Sequence, residues 1–421
     1  MKILLVGLGS AGDVHPFMAL AETMAARGHA VELLANPVFE QEAAACGLPF
    51  HPIGTRTQSD QTMDHPGLWH PIDGFGVMYR HLLRPAIQPV FDRIQAVAAE
   101  GPCAVVATPV AFGARVAQEA LGVPLVSAYT AATMLRSCDD PLTIAQWKVP
   151  RWVPRGARRK LWSLLDRHKL EPMVRGDLHA VRAPLQLPPV TQSIFGEWMH
   201  STDGGCTLFP DWFAPAASDW PSRVVQTGFP VFDANVALSP DTAPPPELAA
   251  FMAAGPKPIV FTPGTAMRHG GHFFDAAVQV CRQLGVRGIY VGQGIASGVA
   301  PPDPARDGFL VQAHVPFGWL FPKAAAVVHH GGIGTCAQGL RAGLPHLVLP
   351  RAYDQFDNAN RLEALGVGET LLKPSDLPSM AARLRRLLHD PAVAASCQRA
   401  AGRVDSDAAR ESVCRFVEAL A

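Results

Sequence analysis

The sequence predicts an α/β protein built from two doubly wound, parallel-sheet domains. Three observations carry this. A chain of 421 residues is too long for one ordinary core. A short apolar run, a glycine-rich turn and a helix-period stretch occur at residues 2–26, and the same pattern returns at 324–340. Between them, residues 232–258 carry Pro240, Pro244, Pro245, Pro246, Pro256 and Pro258 with Asp, Ala and Gly, the composition of a linker holding one short helix. The predicted division is a first domain over 1–235, a linker over 236–257, a second domain over 258–400, and a terminal helical segment over 401–421.

The first half reads as alternating strands and helices. Residues 2–6 are a short apolar strand, and a helix spans about 15–26, where Phe17, Leu20, Ala21 and Met24 share a face and Gly28 stops the helix. Residues 30–35 form the second strand. A strand near 49–53 precedes a polar loop at 55–71, and a long helical stretch covers 75–99. Strand, helix and strand follow at 103–107, 111–121 and 124–127, which opens residues 130–137 at the carboxyl edge of the sheet. Residues 148–169 are a charged anomaly, with eight Lys or Arg against Asp166 alone, and Trp152, Leu161, Trp162, Leu164 and Leu165 interleaved. Such a segment suits a solvated helix packed on its apolar stripe, an anionic membrane surface, or a lid over a lipid-like ligand. A strand at 223–227 closes this half.

The second half restarts the pattern. Residues 258–262 are a strand ending in the tight turn Pro263-Gly264-Thr265. A helix over 271–284 and strands at 288–291 and 309–312 follow. An apolar run at 324–328 ends in His329-His330-Gly331-Gly332-Ile333-Gly334-Thr335, and a helix then runs to Gly343. A strand at 346–349 leads into Pro350-Arg351-Ala352-Tyr353-Asp354-Gln355-Phe356-Asp357-Asn358. Helices near 377–388 and 408–420 end the chain.

Composition excludes several classes. The chain is 48 % hydrophobic and 17 % charged with zero net charge, which fits a globular enzyme and gives no reason to expect nucleic acid. No uninterrupted apolar stretch is long enough for a transmembrane helix. The apolar run at 2–6 ends in glycines and reads as a first strand, not as a signal peptide. Eight cysteines stand singly with no C-x-x-C, as free thiols do in a reducing cytoplasm. The pairs His65/His70 and His269/His272 offer too few ligands for a zinc site.

Two loops carry the chemistry. In a parallel sheet the turns after 324–328 and 346–349 open on the same edge. The first exposes backbone N–H groups at a helix N-terminus, which suits a phosphate, with a histidine beside it as donor. The second offers a carboxylate and an amide, groups that bind sugar hydroxyls. Phosphate on one loop and sugar on the next describe a nucleotide-sugar site. Near the N-terminus, Gly7-Leu8-Gly9-Ser10-Ala11-Gly12 formally matches the dinucleotide fingerprint G-x-G-x-x-G. That fingerprint wants an acid at the end of the second strand, yet the strand ends in Ala35-Asn36-Pro37, with Glu32 in its middle. The alternative is that these glycines make room for an acceptor and lift Asp13 to the mouth of the sheet. Asp13 is then the candidate base, with helix capping as its bland role. His15, two residues on, is the second candidate.

The combined motif HHGGIGT and P-x-x-x-DQ-x-x-N resembles the donor-binding signature of the inverting glycosyltransferases of the GT-B fold, which include the antibiotic, sterol and plant natural-product enzymes. The likeness runs along the whole chain. Through Gly9 to Val14 with Pro16, Glu197-Trp198-Met199-His200-Ser201, Leu208-Phe209-Pro210, Trp212-Phe213-Ala214-Pro215 and Thr227-Gly228-Phe229-Pro230, it is most similar to the bacterial rhamnolipid rhamnosyltransferase branch. The resemblance implies two Rossmann-like domains facing a cleft, with the terminal helix crossing back to the first domain. It implies metal-independent, inverting transfer of a hexosyl group, L-rhamnose from dTDP-L-rhamnose, to a hydroxyl of a 3-(3-hydroxyalkanoyloxy)alkanoic acid, with no cofactor beyond the nucleotide-sugar. It places aspartate, as in the sterol and glycopeptide branches, at the base position Asp13. It carries Thr265 over to the diphosphate and the Val315 backbone to the base. His330, Gly332, Gly334 and Thr335 fall on the diphosphate, and Asp354, Gln355 and Asn358 on the DQ-x-x-N segment that grips the sugar. The frame H-x-G-x-x-[ST] selects His330, and His329 ranks second because the rhamnosyltransferase branch has its histidine there.

The runner-up is a UDP-glucose-dependent glucosyltransferase acting on a sterol, polyketide or other hydrophobic alcohol. A catalytically inactive partner subunit and an NAD-dependent oxidoreductase are readings of other classes. The expected location is the cytoplasm, with peripheral inner-membrane contact through 148–169 and association with an acceptor-synthesising enzyme.

Overall fold

The structure is a computed structural model that describes residues 1–140, 143–144, 147–232, 245–264, 271–292 and 302–420. The chain divides into two compact units, Met1–Phe232 with Ser406–Ala421, and Asp233–Asp405. Each is a parallel sheet flanked by helices.

The first unit holds β1 (Lys2–Val6), β2 (Ala30–Ala35), β3 (Phe50–Pro52), β4 (Cys103–Ala107) and β5 (Leu125–Tyr129). A two-stranded antiparallel ribbon follows, β6 (Thr143–Ile144) with β7 (Trp147–Lys148), and then β8 (Gly205–Thr207) and β9 (Val224–Gln226). The seven-stranded sheet runs β3-β2-β1-β4-β5-β8-β9, parallel throughout. Strand order reverses between β1 and β4, where an open sheet of this kind leaves a crevice at the carboxyl ends. The strands are apolar on both faces, because helices cover both. On one face Leu4, Val6 and Val105 pack with Val90, Phe91 and Ile94 of the helix Arg84–Glu100 and Phe112 of the helix Phe112–Leu121.

The second unit contains β10 (Ile259–Thr262), β11 (Gly288–Val291), β12 (Phe309–Gln312), β13 (Ala326–His329), β14 (His346–Val348) and β15 (Gly368–Thr370). The order is β12-β11-β10-β13-β14-β15, again all parallel, with the reversal between β10 and β13.

Several elements differ from the sequence reading. The first helix begins at Ala11, a turn earlier than expected, because Ser10 caps it and Asp13 reaches back as its third residue. The polar stretch after β3 contains the helix Arg56–Met63, closed by a Thr55/Gln58 capping box. The long helix splits into Gly74–Met78, a π-helical turn over Tyr79–Leu83, and Arg84–Glu100. The latter part of the presumed linker is the helix Pro246–Ala253, whose Leu248 and Phe251 are buried in a core of the second unit with Val260 and Ile289. Residues 236–244 of that linker lie outside the described residues. The terminal segment is the helix Ser406–Glu418, which packs on the first helix of the first unit. Arg27 there binds Glu418 and Glu411 at 2.6–2.8 Å. All eight cysteines are free thiols. Among the described residues no helix is long and apolar enough to cross a membrane.

Candidate functional site

In the first unit the chain leaves β1 and turns through Gly9 at φ +141°. Ser10 caps the helix Ala11–Ala26, and Asp13 Oδ2 accepts the Ser10 N–H at 2.8 Å and the Ser10 hydroxyl at 3.1 Å. A Cβ on Gly9 would stand 2.2 Å from that oxygen, so glycine is what lets the carboxylate fold over the turn. Burial raises the Asp13 pKa to about 6, against the lowering effect of the two Ser10 bonds. The carboxylate is therefore a helix cap and a group poised to take a proton near neutrality.

Asn36 was not singled out by the sequence reading. It directly follows β2, is fully buried, and donates Nδ2–H to the Gly9 carbonyl at 3.0 Å. An amide thus holds the turn where a dinucleotide fold places its acid. Glu32, the acid within β2, is bound by Arg93 at 2.7 and 2.8 Å. His15 is half-buried between Phe39 and Phe232, with Nε2 3.1 Å from Glu42 Oε2, so a carboxylate already holds one of its ring nitrogens.

In the second unit the site residues gather at the switch point. β10 ends at Thr262 and leads into Gly264, while β13 ends at His329 and leads into His330, with Thr262 and His329 in register. The His330 ring lies between two glycines. A Cβ on Gly264 would stand 2.4 Å from its Cε1, and one on Gly332 would stand 2.4 Å from its Nε2. Neither contact leaves room for a side chain. Among the described residues His330 Nδ1 has no hydrogen-bond partner. Burial first, and then the positive charge of Arg351, lower the His330 pKa to about 4, so the ring is neutral at pH 7. Thr265 lies outside the described residues.

His329 has a different fate from the one expected. It is fully buried, its Nδ1 accepts the Gly331 N–H at 3.1 Å, and its Nε2 is 3.0 Å from His346 Nδ1. Both ring nitrogens are engaged inside the protein, which removes it as a second diphosphate ligand. The reason is alternation: adjacent residues at a strand end point to opposite sides, so one histidine goes inward and the next goes out.

The helix Ile333–Arg341 starts at Gly332, and its first internal bond runs from Cys336 N–H to Gly332 C=O at 3.0 Å. The N–H groups of Ile333, Gly334 and Thr335 precede that bond and have no acceptor within the helix. A terminus of this kind, beside His330, suits an anion. In the second loop Gln355 is buried, and its Oε1 accepts the N–H groups of Arg351 at 2.8 Å and Ala352 at 3.2 Å. That carbonyl oxygen shapes the loop. Asp354 occupies the N-cap position of the helix Gln355–Ala364 without a side-chain cap bond and is partly exposed, following Tyr353 in the left-handed region at φ +57°. Asn358 is fully buried and donates to Asp354 Oδ2 at 2.7 Å and to the Gly331 carbonyl at 2.9 Å. It ties the two loops together. Val315 buries its side chain with Leu310 and Leu320, and its backbone lies in the loop after β12.

Each unit is thus a parallel α/β sheet, one with a helix N-terminus beside a histidine at its switch point and the other with a carboxylate folded over the turn after β1, and comparison with known proteins gives the class. Residues 3–138 match the glycosyltransferase family 28 N-terminal domain, and residues 302–420 match the erythromycin biosynthesis protein CIII-like C-terminal domain. The chain is 30 % identical to O-mycaminosyltylonolide 6-deoxyallosyltransferase of Streptomyces fradiae, over 99 % of this chain and 97 % of that one. It is 32 % identical to the vancomycin aglycone glucosyltransferase of Amycolatopsis orientalis, over 87 % of this chain and 85 % of that one. A sterol 3-beta-glucosyltransferase of Arabidopsis thaliana is 27 % identical over 90 % of this chain and 58 % of its own length. Among solved structures, the glycotransferase of kitacinnamycin superposes with a TM-score of 0.75 at 20 % identity, covering 100 % of this chain and 98 % of that one. Spinosyn rhamnosyltransferase SpnG with thymidine diphosphate gives 0.66 at 19 %, over 99 % and 100 %. Both share the GT-B fold. The chain belongs to the glycosyltransferase family that contains the antibiotic and sterol glycosyltransferases.

Proposed function

We propose that this glycosyltransferase moves L-rhamnose from dTDP-L-rhamnose to a hydroxyl of a lipid-like acceptor such as a 3-(3-hydroxyalkanoyloxy)alkanoic acid, with inversion and without a divalent metal. The observation that carries the donor half is the His330 ring set between Gly264 and Gly332 beside the N-terminus of the helix Ile333–Arg341. Thymidine diphosphate and a 6-deoxyhexose are supported by the relatives: one is named a 6-deoxyallosyltransferase and another, 30 % identical, a dTDP-epi-vancosaminyltransferase. The rhamnolipid acceptor rests on the motif likeness along the chain.

In this reading Asp13 takes the proton of the acceptor hydroxyl. The oxygen bonds to the anomeric carbon as the bond from that carbon to the diphosphate breaks, and the bonding pair leaves on the diphosphate. A positioned base contributes roughly 10²–10⁴-fold. The charge that develops on the leaving group meets fixed donors: the neutral His330 ring N–H, the first-turn N–H groups and the hydroxyl of Thr335, with Thr265 in the same role. Asp354 orients the sugar, with Gln355 and Asn358 holding the segment that carries it. The backbone at Val315 faces the base.

Residues 147–164 support peripheral contact with an anionic membrane. Trp152 is 81 % exposed, Trp147 57 % and Leu164 55 %, among Lys148, Arg151, Arg159 and Lys160. Tryptophan and leucine beside unburied cations match an interface between headgroups and acyl chains. An acceptor-synthesising enzyme at the same membrane would deliver the substrate directly.

Nucleotide release tests the reading, with dTDP-L-rhamnose or UDP-glucose offered with and without a hydroxyalkanoyloxy-alkanoate. Acceptor-dependent release of dTDP supports it. Release of UDP instead, with a sterol or polyketide alcohol, favours the glucosyltransferase reading.

A further inference from the structure

His346 lies on β14, fully buried, and belongs to no motif of the donor loops. Its Nδ1 is 3.0 Å from His329 Nε2. The proton positions follow from the backbone. His329 Nδ1 accepts the Gly331 N–H at 3.1 Å and so carries no proton. A neutral His329 then carries its proton on Nε2 and donates it to His346 Nδ1. The peptide on the other side of Gly331 is held as well, because its carbonyl accepts Asn358 Nδ2–H at 2.9 Å. Gly331 stands at φ +95°, a conformation a turn must hold against alternatives. His346 also touches the helix that follows the turn: a Cβ on Gly339 would stand 2.3 Å from His346 Cε1. One ring thus braces the glycine turn through His329 and braces the flank of the helix Ile333–Arg341 directly.

We propose that His346 is a positioning residue for the donor diphosphate, acting through the chain His346–His329–Gly331 to aim the N–H groups at the start of the helix Ile333–Arg341. This rests on the donor reading given above. A helix N-terminus binds an anion only when its first N–H groups converge on it, so losing the brace weakens diphosphate binding without touching the acceptor.

The test uses two near-isosteric variants of the full chain. His346→Asn places a side-chain oxygen near the position of Nδ1 and keeps an acceptor for His329. His346→Leu keeps the volume and removes the acceptor. Titration with dTDP and with UDP, and kinetics at varied donor and varied acceptor, should show His346→Leu weakening nucleotide binding and raising the donor KM by about tenfold, the scale of one unsatisfied buried hydrogen bond. The acceptor KM stays unchanged, and His346→Asn restores the donor constants. Equal behaviour of the two variants, or a His346→Leu chain with wild-type donor constants, overturns the proposal. A spectrum of the wild-type chain with ¹⁵N-labelled histidine needs no variant: His329 should carry its proton on Nε2, and a proton on Nδ1 overturns the relay. A wild-type chain that binds neither nucleotide overturns the donor reading itself, a result distinct from a failure of the relay alone.

Discussion

Asp13 Oδ2 accepts the backbone N–H of Ser10 at 2.8 Å, so the residue that starts the first helix also holds the carboxylate at the end of β1. Burial outweighs that bond and raises its pKa to about 6 from 3.8. The folded state therefore binds the proton more tightly than the unfolded chain. The resulting stability is fully present below the unfolded value of 3.8 and is lost as pH rises through about 6. Asp13→Asn should cut transfer by roughly 10²–10⁴-fold and leave nucleotide binding intact. At pH 7–8 the same variant should unfold at a higher temperature, by up to roughly 3 kcal/mol of stability. In the wild type, kcat/KM should rise with pH through about 6, and the rise should vanish in the variant. Calorimetry and a pH–rate profile check this, and a variant that keeps substantial turnover would move the base to His15.

Gly332→Ala tests the slot around His330. Gly332 has φ −62°, which alanine adopts freely, so the backbone is not strained and only the contact with His330 Nε2, 2.4 Å from the new Cβ, is changed. The variant should fold with a normal unfolding temperature and bind dTDP at least about tenfold more weakly, the loss of one hydrogen bond to a charged group. Unchanged affinity by calorimetric titration would mean that the ring does not face the diphosphate.

If His330 meets the diphosphate, it does so as a neutral donor, because burial and Arg351 hold its pKa near 4. Nucleotide affinity should therefore show no inflection from this group between pH 6 and pH 8, and His330→Ala should weaken binding by a similar factor across that range. Turnover in excess EDTA should equal turnover in added magnesium. A rate that needs the metal would require a different account of leaving-group stabilisation.

The exposed tryptophans make a separate prediction. Trp152→Ala combined with Leu164→Ala should lower sedimentation with vesicles containing phosphatidylglycerol and leave turnover on a soluble acceptor unchanged. Raising the salt should weaken wild-type binding, because part of it is screened charge. Equal partition to neutral and anionic vesicles would remove the role of the basic residues.

Periodicity and glycine placement were enough to read two parallel α/β units, because strands buried on both faces are continuous apolar runs, and β1, β10 and β13 lead into Gly9, Gly264 and Gly331 at positive φ. The same local chemistry marked Asp13, the glycine turn before the helix Ile333–Arg341, and the Asp-Gln-x-x-Asn loop. The sequence frame ranked His330 above His329, and the tertiary structure decided where the second ring goes. His329 faces His346, seventeen residues along the chain, and only strand pairing between β13 and β14 brings them to 3.0 Å. It also made Asn36 the clamp of the Gly9 turn, across a separation of twenty-seven residues. The terminal helix joined the first unit in the same way, through Arg27 and a buried stripe of Ala409, Val413, Cys414 and Val417. Patterns within a few residues record which elements form. Which side chain is free to meet a ligand depends on partners distant in sequence, and those are set only when the sheet assembles.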